Sequence, residues 1–179
     1  MAFEPVKEQY EKLCSRLKGK ALTRRVALGA QAGFVDMNLW SDGRVSSILE
    51  VHSGVKVLSS DFAEHDVQNV QLSTIDAEIQ NLGIMPDLVK LDVQGYELAV
   101  LQGAESALKS GQIAAIACEV NFASAYVNQC RLEDLVSFMT SYEYRLWNID
   151  RLVHTSTGNL YFGDFTFVSR RSWELLGAT

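Results

Sequence analysis

Residues 88–93 constrain the fold of this chain more than any other stretch of its sequence. They read Leu-Val-Lys-Leu-Asp-Val, a nearly continuous apolar run of strand length that ends shortly before Gly95. A run of this kind is typical of a parallel strand that is covered on both faces. A helical pattern follows at residues 97–110 and ends at Gly111. A strand followed by a helix in this way predicts one unit of an α/β fold.

Strand and helix patterns alternate along most of the chain. Helical spacing of apolar residues recurs at residues 6–17, 74–82, 97–110 and 132–139, and strand-like runs lie at 25–28, 113–120, 144–149 and 164–168. This alternation predicts an α/β fold with a mainly parallel sheet, in a single domain that covers residues 1–179. Residues 33–60 interrupt it with alternating polar and apolar side chains. Asp42-Gly43 is a strong hairpin-turn signal, so we expect a β excursion there.

Composition and charge disfavour several classes of partner. The 179 residues are 47% hydrophobic and 21% charged, which is ordinary for a globular domain. Sixteen basic against 22 acidic residues give a formal charge of −6. Surfaces that bind nucleic acid or anionic lipid usually carry a basic excess instead. We therefore expect neither nucleic acid nor a membrane as a partner.

The sequence shows no targeting or metal-binding pattern. No apolar run approaches the roughly 18–20 residues of a membrane span. The first residues also lack the basic and apolar regions of a secretory signal. Cys14, Cys118 and Cys130 lie far apart, and no Cys or His pair has metal-ligand spacing. We expect three reduced thiols, no metal site and a cytoplasmic protein.

Carboxylates at three predicted strand ends are the candidates for chemistry. Glu4, Asp92 and Glu119 each follow or close an apolar stretch, and ligands of open α/β sheets bind at the carboxyl ends of strands. A carboxylate placed there can accept hydrogen bonds from both hydroxyls of a ribose. Each residue also has a plainer interpretation that the sequence leaves open. These are an acid at a helix start for Glu4, a helix-capping loop acid for Asp92 and a surface acid for Glu119.

Two patterns that resemble catalytic motifs are set aside. Residues 27–33 follow a predicted strand and contain two glycines, but they lack the G-x-G-x-x-G spacing of a dinucleotide loop. The histidines, His52, His65 and His154, have no serine or cysteine motif near them. The sequence therefore disfavours an NAD-dependent oxidoreductase and a hydrolase with a catalytic triad.

Residues 87–105, which read DLVKLDVQGYELAVLQGAE, resemble the signature of the FkbM-type methyltransferases. Shorter similarities occur in the expected order at residues 3–5, 26–29, 46–49, 73–76 and 119–122. Enzymes of this type use S-adenosylmethionine (SAM) and have the Rossmann-like methyltransferase fold. The resemblance therefore implies a three-layer α/β sandwich and methyl transfer to a hydroxyl, or an amine, of a small molecule or glycan.

The resemblance also implies roles for particular residues. Glu4 would hold the ribose hydroxyls of SAM, and residues near Leu28 would line its adenine. The methyl-transfer site would be bordered by Asp92, Gly95 and Glu97, the first two of which would also bind the cofactor. Asp92 or Glu119 would accept the proton of the attacking hydroxyl. The candidate catalytic residues are thus Asp92, Glu97 and Glu119, and the candidate cofactor-binding residues are Glu4, Leu28, Asp92 and Gly95.

The chain departs from the pattern of these enzymes at its front. Their fold begins with a strand and a glycine-rich turn against the methionine part of SAM, whereas residues 3–5 already resemble the end of the second strand. We therefore expect an N-terminally truncated form of the fold, with exposed strand edges that favour pairing between chains. The alternative function is that of a non-catalytic, homo-oligomeric remnant of the fold that does not bind SAM.

Overall fold

The computed structural model describes residues 1–40, 45–53 and 65–177. Its strands are β1 (Ala2–Phe3), β2 (Thr23–Arg24), β3 (Ala27–Leu28), β4 (Gly33–Trp40), β5 (His65–Ser73), β6 (Leu88–Leu91), β7 (Ala115–Asn121), β8 (Tyr144–His154) and β9 (Leu160–Ser169). Its helices are α1 (Lys7–Leu17), α2 (Ile75–Leu82), α3 (Glu97–Gln102), α4 (Glu105–Ser110), α5 (Leu132–Ser141) and α6 (Arg170–Leu175). Within these ranges no helix is both long and apolar enough to cross a membrane.

The described strands form three sheets. In the first, β1 pairs in parallel with β2. In the second, β5 lies between β3, to which it is parallel, and β4, to which it is antiparallel. The third has the order β6-β7-β9-β8, in which only β6 and β7 are parallel. The predicted α/β class is confirmed as a mixed α/β architecture, while its three-layer Rossmann-like arrangement stays a prediction.

The expected mainly parallel sheet is not what the structure shows. Three of the six strand pairs in the described ranges are antiparallel. Only residues 155–159 separate β8 from β9, and a connection this short joins strands antiparallel. Strand β9 also pairs antiparallel with β7, and the third antiparallel pair, β4 with β5, belongs to the excursion. The helix–strand alternation therefore predicted both strands of the parallel pair β6–β7, but it did not predict the antiparallel pairing of β8 and β9.

Coverage of β6 on both faces was also expected, and it is wrong. Leu91 is 3% exposed and packs in the core, whereas Leu88 is 62% exposed. Lys90 is exposed like Leu88, so one face of the strand packs and the other does not. An apolar run indicates a strand here but does not show that both of its faces are buried.

The helix expected over residues 97–110 is divided into α3 and α4 at Gly103. A Cβ atom at Gly103 would clash with the carbonyl oxygen of Gly29, so main chain packs on main chain at this point. The Gly103 carbonyl accepts a hydrogen bond from the Asp76 N–H (3.0 Å) instead of continuing a helical ladder. The Asp76 carboxylate in turn accepts hydrogen bonds from the N–H groups of Ser106 (2.8 Å) and Ala107 (2.9 Å) at the start of α4.

The β excursion extends beyond the residues predicted for it. All eight residues of β4 pair with β5, which begins at His65. The turn signal Asp42-Gly43 and residues 54–64 lie outside the described residues. A small cluster that includes Trp40, Val51 and Tyr126 packs the excursion against the segment that follows β7. This contact brings the excursion next to the loop after β6.

The main core lies between the β6-β7-β9 strands and helices α3, α4 and α5. Its most buried members include Leu101, Ile116, Leu135, Phe165 and Phe167. The thiols of Cys118 and Cys130 are buried, and that of Cys14 is partly buried; all three are free, as expected.

Candidate functional site

A cavity of about 1150 Å³ lies at the ends of β1, β3 and β6 and along β7. Glu4, Leu28, Asp92 and Glu119 all line it. The structure therefore brings four of the residues singled out in the sequence to one place, as expected for ligand sites at the carboxyl ends of strands. Gly95 and Glu97 are absent from the cavity lining as far as the described residues define it.

Glu4 stands directly after β1 and precedes α1. Its N–H donates to the Arg24 carbonyl (3.1 Å), which continues the pairing of β1 with β2. Its carboxylate accepts a hydrogen bond from the Val6 N–H (2.9 Å) at the helix start. Partial burial raises the pKa of Glu4, and the Val6 hydrogen bond opposes that shift. The residue thus fits both interpretations made from the sequence, because its carboxylate lies at the start of α1 and it also lines the cavity.

Asp92 and Glu119 are linked through the side chain of Gln94. The Gln94 amide nitrogen Nε2 donates to Asp92 Oδ1 (2.9 Å) and to Glu119 Oε1 (3.4 Å). Asp92 follows β6 and Glu119 lies in β7, so the amide spans two neighbouring parallel strands. Two carboxylates on one wall of the cavity therefore share a single donor.

Glu119 also belongs to a charged network with β8 and β9. Arg151 Nη2 lies 3.3 Å from Glu119 Oε2, and its Nε lies 3.2 Å from Asp164 Oδ2. Lys90 Nζ lies 3.6 Å from the other oxygen of Asp164. Burial raises the pKa of Glu119, the charges of Asp92 and Asp164 raise it further, and Arg151 and the Gln94 amide oppose the shift. The plainer interpretation of Glu119 as a lone surface acid is wrong.

Glu97 and Gly95 shape the loop between β6 and α3. Glu97 is 2% exposed, and its Oε1 accepts hydrogen bonds from the N–H groups of Val93 and Gly95, both at 3.2 Å. Burial raises the pKa of Glu97 to about 7. Gly95 has a φ of 92°, and a Cβ atom there would lie 2.8 Å from Gln129 Cβ. Both residues therefore hold the loop that carries Asp92 and Gln94.

Gln94 itself is held from three sides. Its backbone is left-handed, with a φ of 52°. The Ser47 hydroxyl donates to its carbonyl oxygen (3.0 Å). The Tyr126 hydroxyl lies 3.1 Å from its side-chain oxygen Oε1 and 2.9 Å from the Val45 carbonyl oxygen. Ser47 comes from the excursion and Tyr126 from the segment after β7, so three parts of the chain meet at this residue.

Three site residues were not chosen from the sequence. Gln94 lies inside the FkbM-like run but carries no charge that would mark it. Asn121 ends β7 and lines the cavity, and its Nδ2 is buried with no hydrogen-bond partner in the described part of the chain. Arg151 has a φ of 39° where the register of β8 against β9 shifts, and it faces the cavity. No feature of the sequence predicts that shift in register.

The sequence profile described as the Methyltransferase FkbM domain matches residues 1–146, well over half of the chain. The chain belongs to this family. The FkbM match includes every residue that the sequence marked as a site candidate, whereas Arg151 lies beyond it. Among curated proteins no sequence matches the chain, and among solved structures none does.

Membership of the FkbM family makes the chain a methyltransferase-family protein, and the family is generally SAM-dependent. Methyl transfer from a sulfonium needs little covalent help from a protein, because the methyl group is already activated. An enzyme of this kind needs a pocket that aligns donor and acceptor and a group that takes the proton of the acceptor. The carboxylates that line this cavity are groups that can take such a proton.

Proposed function

We propose that this chain is a SAM-dependent methyltransferase that acts on a hydroxyl group of a small molecule or glycan. The observation that carries the proposal is the convergence of Glu4, Leu28, Asp92 and Glu119 on one cavity. These residues are far apart in the sequence and come from different strands. The proposal goes beyond family membership, because it commits this chain to the cofactor and names the acceptor group.

The residues on one side of the cavity fit SAM. The Glu4 carboxylate has an oxygen that does not bind Val6, and a carboxylate after a strand suits the vicinal hydroxyls of a ribose. Leu28 offers an apolar side chain for the adenine. The cavity is somewhat larger than the roughly 300–1000 Å³ typical of small-molecule sites, which leaves room for an acceptor beside the cofactor.

The other side of the cavity supports proton transfer from a hydroxyl. SAM, when bound, supplies a methyl group on a positively charged sulfur. Asp92 and Glu119 both line the cavity, and we assign them to hold and accept the hydroxyl proton. Asn121 also lines this side of the cavity. Glu97 keeps the loop in place and does not meet the acceptor.

Titration calorimetry with SAM and with S-adenosylhomocysteine tests the cofactor assignment. We expect micromolar binding of both by the unmodified chain. Glu4→Gln removes the ribose-binding charge, so we expect affinity to fall roughly 10- to 100-fold. Glu11→Gln, at an exposed position in α1, is the matched control and should change nothing. Absence of binding up to millimolar cofactor would contradict the proposal and favour the non-catalytic alternative.

Methyl transfer from SAM to a panel of monosaccharides and small alcohols tests the reaction itself. We expect Asp92→Asn to lower kcat while leaving the melting temperature unchanged, because Asp92 is exposed and stabilises little of the fold. Asp134→Asn, an exposed acid in α5, serves as the control. Unchanged turnover in the Asp92 variant would remove that residue from the mechanism.

A further inference from the structure

Among the described residues, Gln94 is the one uncharged side chain that contacts both candidate proton acceptors. Its Nε2 reaches Asp92 at 2.9 Å and Glu119 at 3.4 Å, and no other described side chain bonds to both. The two acids lie on adjacent strands and would repel each other when both are ionised. The shared donor favours the ionised form of Glu119 and holds the two carboxylates together.

The geometry around Gln94 fixes the direction in which its amide points. The ionised carboxylates of Asp92 and Glu119 only accept hydrogen bonds, which directs the NH₂ group at them. The Tyr126 hydroxyl lies 3.1 Å from Oε1 and 2.9 Å from the Val45 carbonyl oxygen, so its one proton is offered to both acceptors. The reverse orientation would place the amide oxygen against two acids, with no donor between them. Ser47 anchors the main chain of the same residue from the excursion.

We propose that Gln94 is a positioning residue for methyl transfer, which holds the carboxylates of Asp92 and Glu119 side by side toward the acceptor hydroxyl. This inference rests on the proposed function for its catalytic meaning. It extends that function by making the loop after β6 depend on the excursion, because Ser47 and Tyr126 fix the residue that aligns the acids. Gln94 acts through Asp92 and Glu119 and does not itself contact the methyl group.

Other charged or titratable groups also lie near Glu119 and must be kept constant in a test. They are Asp92 after β6, Lys90 in β6 through Asp164, Tyr126 after β7, Arg151 in β8 and Asp164 in β9. The Gln94 hydrogen bond lowers the pKa of Glu119 against the effects of burial and of the neighbouring acids. Loss of the amide donor, with these neighbouring groups left unchanged, should therefore move the titration of Glu119 to higher pH.

Gln94→Asn is the informative substitution. Asparagine tolerates a left-handed backbone but is one methylene shorter, so its amide cannot span both carboxylates. Gln102→Asn, at an exposed glutamine in α3, is the matched control. Tyr126→Phe removes the hydroxyl that lies next to Gln94 Oε1 and should shift the Glu119 titration in the same direction by less.

The first readout is the carboxyl ¹³C titration of Glu119 in glutamate-labelled protein, assigned with Glu119→Gln. We expect Gln94→Asn to raise the titration midpoint relative to Gln102→Asn. The second is kinetics on a monosaccharide that the unmodified chain methylates. There we expect kcat to fall roughly 10- to 100-fold with little change in KM for SAM, and the acidic limb of the pH profile to move upward.

The two readouts separate failure of the inference from failure of the proposed function. A Glu119 midpoint that matches the Gln102→Asn control overturns the inference, whether or not the chain is active. Unchanged kcat in an active chain overturns it as well. A shifted midpoint in a chain that methylates nothing supports the pairing of the carboxylates by Gln94 and refutes the methyl-transfer proposal instead.

Discussion

Glu97 is a carboxylate whose setting makes it sensitive to pH. It is almost fully buried, and its hydrogen bonds come from two backbone N–H groups of its own loop. Burial raises its pKa from 4.5 to about 7, although the N–H groups favour the charged form. Desolvation is thus the larger effect, and ionisation of this group costs free energy only in the folded state.

The pH dependence of stability follows from that shift. The folded-state pKa of Glu97 lies above its unfolded-state value, so the protonated side chain contributes stability to the fold. That contribution is fully present below about pH 4.5 and is lost as the pH rises through about 7. The Glu97→Gln variant keeps an acceptor oxygen but does not ionise. As the pH rises over this interval, we expect the unmodified chain to lose stability relative to the variant. The difference in free energy of unfolding should be on the order of 3 kcal/mol. Urea denaturation of both proteins across the interval measures it, and a pH-independent difference would contradict the assignment.

Gly95 is required by space as well as by backbone conformation. Its φ of 92° disfavours other residues, and a Cβ atom would also press on Gln129 Cβ. Gly83 has a φ of 64° with open space around it, so Gly83→Ala reports backbone strain alone. We expect Gly95→Ala to lower the free energy of unfolding by about 1–3 kcal/mol more than Gly83→Ala does. Equal losses in chemical denaturation would show that the loop relaxes.

Sequence reasoning at the residue scale found charges and missed their partners. Asp92 and Glu119 stand out because carboxylates after apolar strands call for an explanation. Gln94 bridges them through an amide that no pattern marks, and Arg151 reaches Glu119 only because β8 changes register beside it. Contacts of this kind depend on pairing between distant strands, which one sequence does not specify.

At the scale of elements, the start of α4 depends on a residue outside that helix. Asp76 accepts hydrogen bonds from Ser106 and Ala107, which would otherwise leave N–H groups of the first turn unsatisfied. We expect Asp76→Ala to lower the free energy of unfolding by about 1–2 kcal/mol. Asp134→Ala removes an acid from the first turn of α5 and is the control for charge alone. Equal thermal shifts in the two variants would show that only the helix dipole matters.

The sequence predicted well those elements whose ends are determined by neighbouring residues. The helical pattern at residues 74–82 is confirmed as α2, which Thr74 caps and Gly83 ends in a left-handed conformation. The division of the helix over residues 97–110 was missed, because its cause is the main chain of Gly29 more than 70 residues away. The full length of β8 was missed too: its exposed residues have no alternating pattern, and its pairing with β9 is what defines it.

For the whole molecule, the excess of acidic groups predicts a difference between the two forms of the cofactor. SAM carries one more positive charge than S-adenosylhomocysteine, and the chain has a formal charge of −6. We expect SAM affinity to fall more than S-adenosylhomocysteine affinity as KCl rises from about 0.01 M to about 1 M, where the Debye length shrinks from about 30 to about 3 Å. Parallel calorimetric titrations measure this. Identical salt dependence would indicate that the cations Lys90 and Arg151 neutralise the site.

The contact of Gly103 with Gly29 limits how sequences of this fold can diverge. The neighbour that excludes a Cβ atom at Gly103 is a main-chain oxygen, so no substitution elsewhere makes room for one. Gly163 differs, because a Cβ atom there would lie 2.7 Å from the end of the Leu152 side chain. A smaller residue at position 152 would remove that clash. In any lineage that keeps this architecture we expect glycine at position 103 without exception, whereas positions 163 and 152 are free to change together.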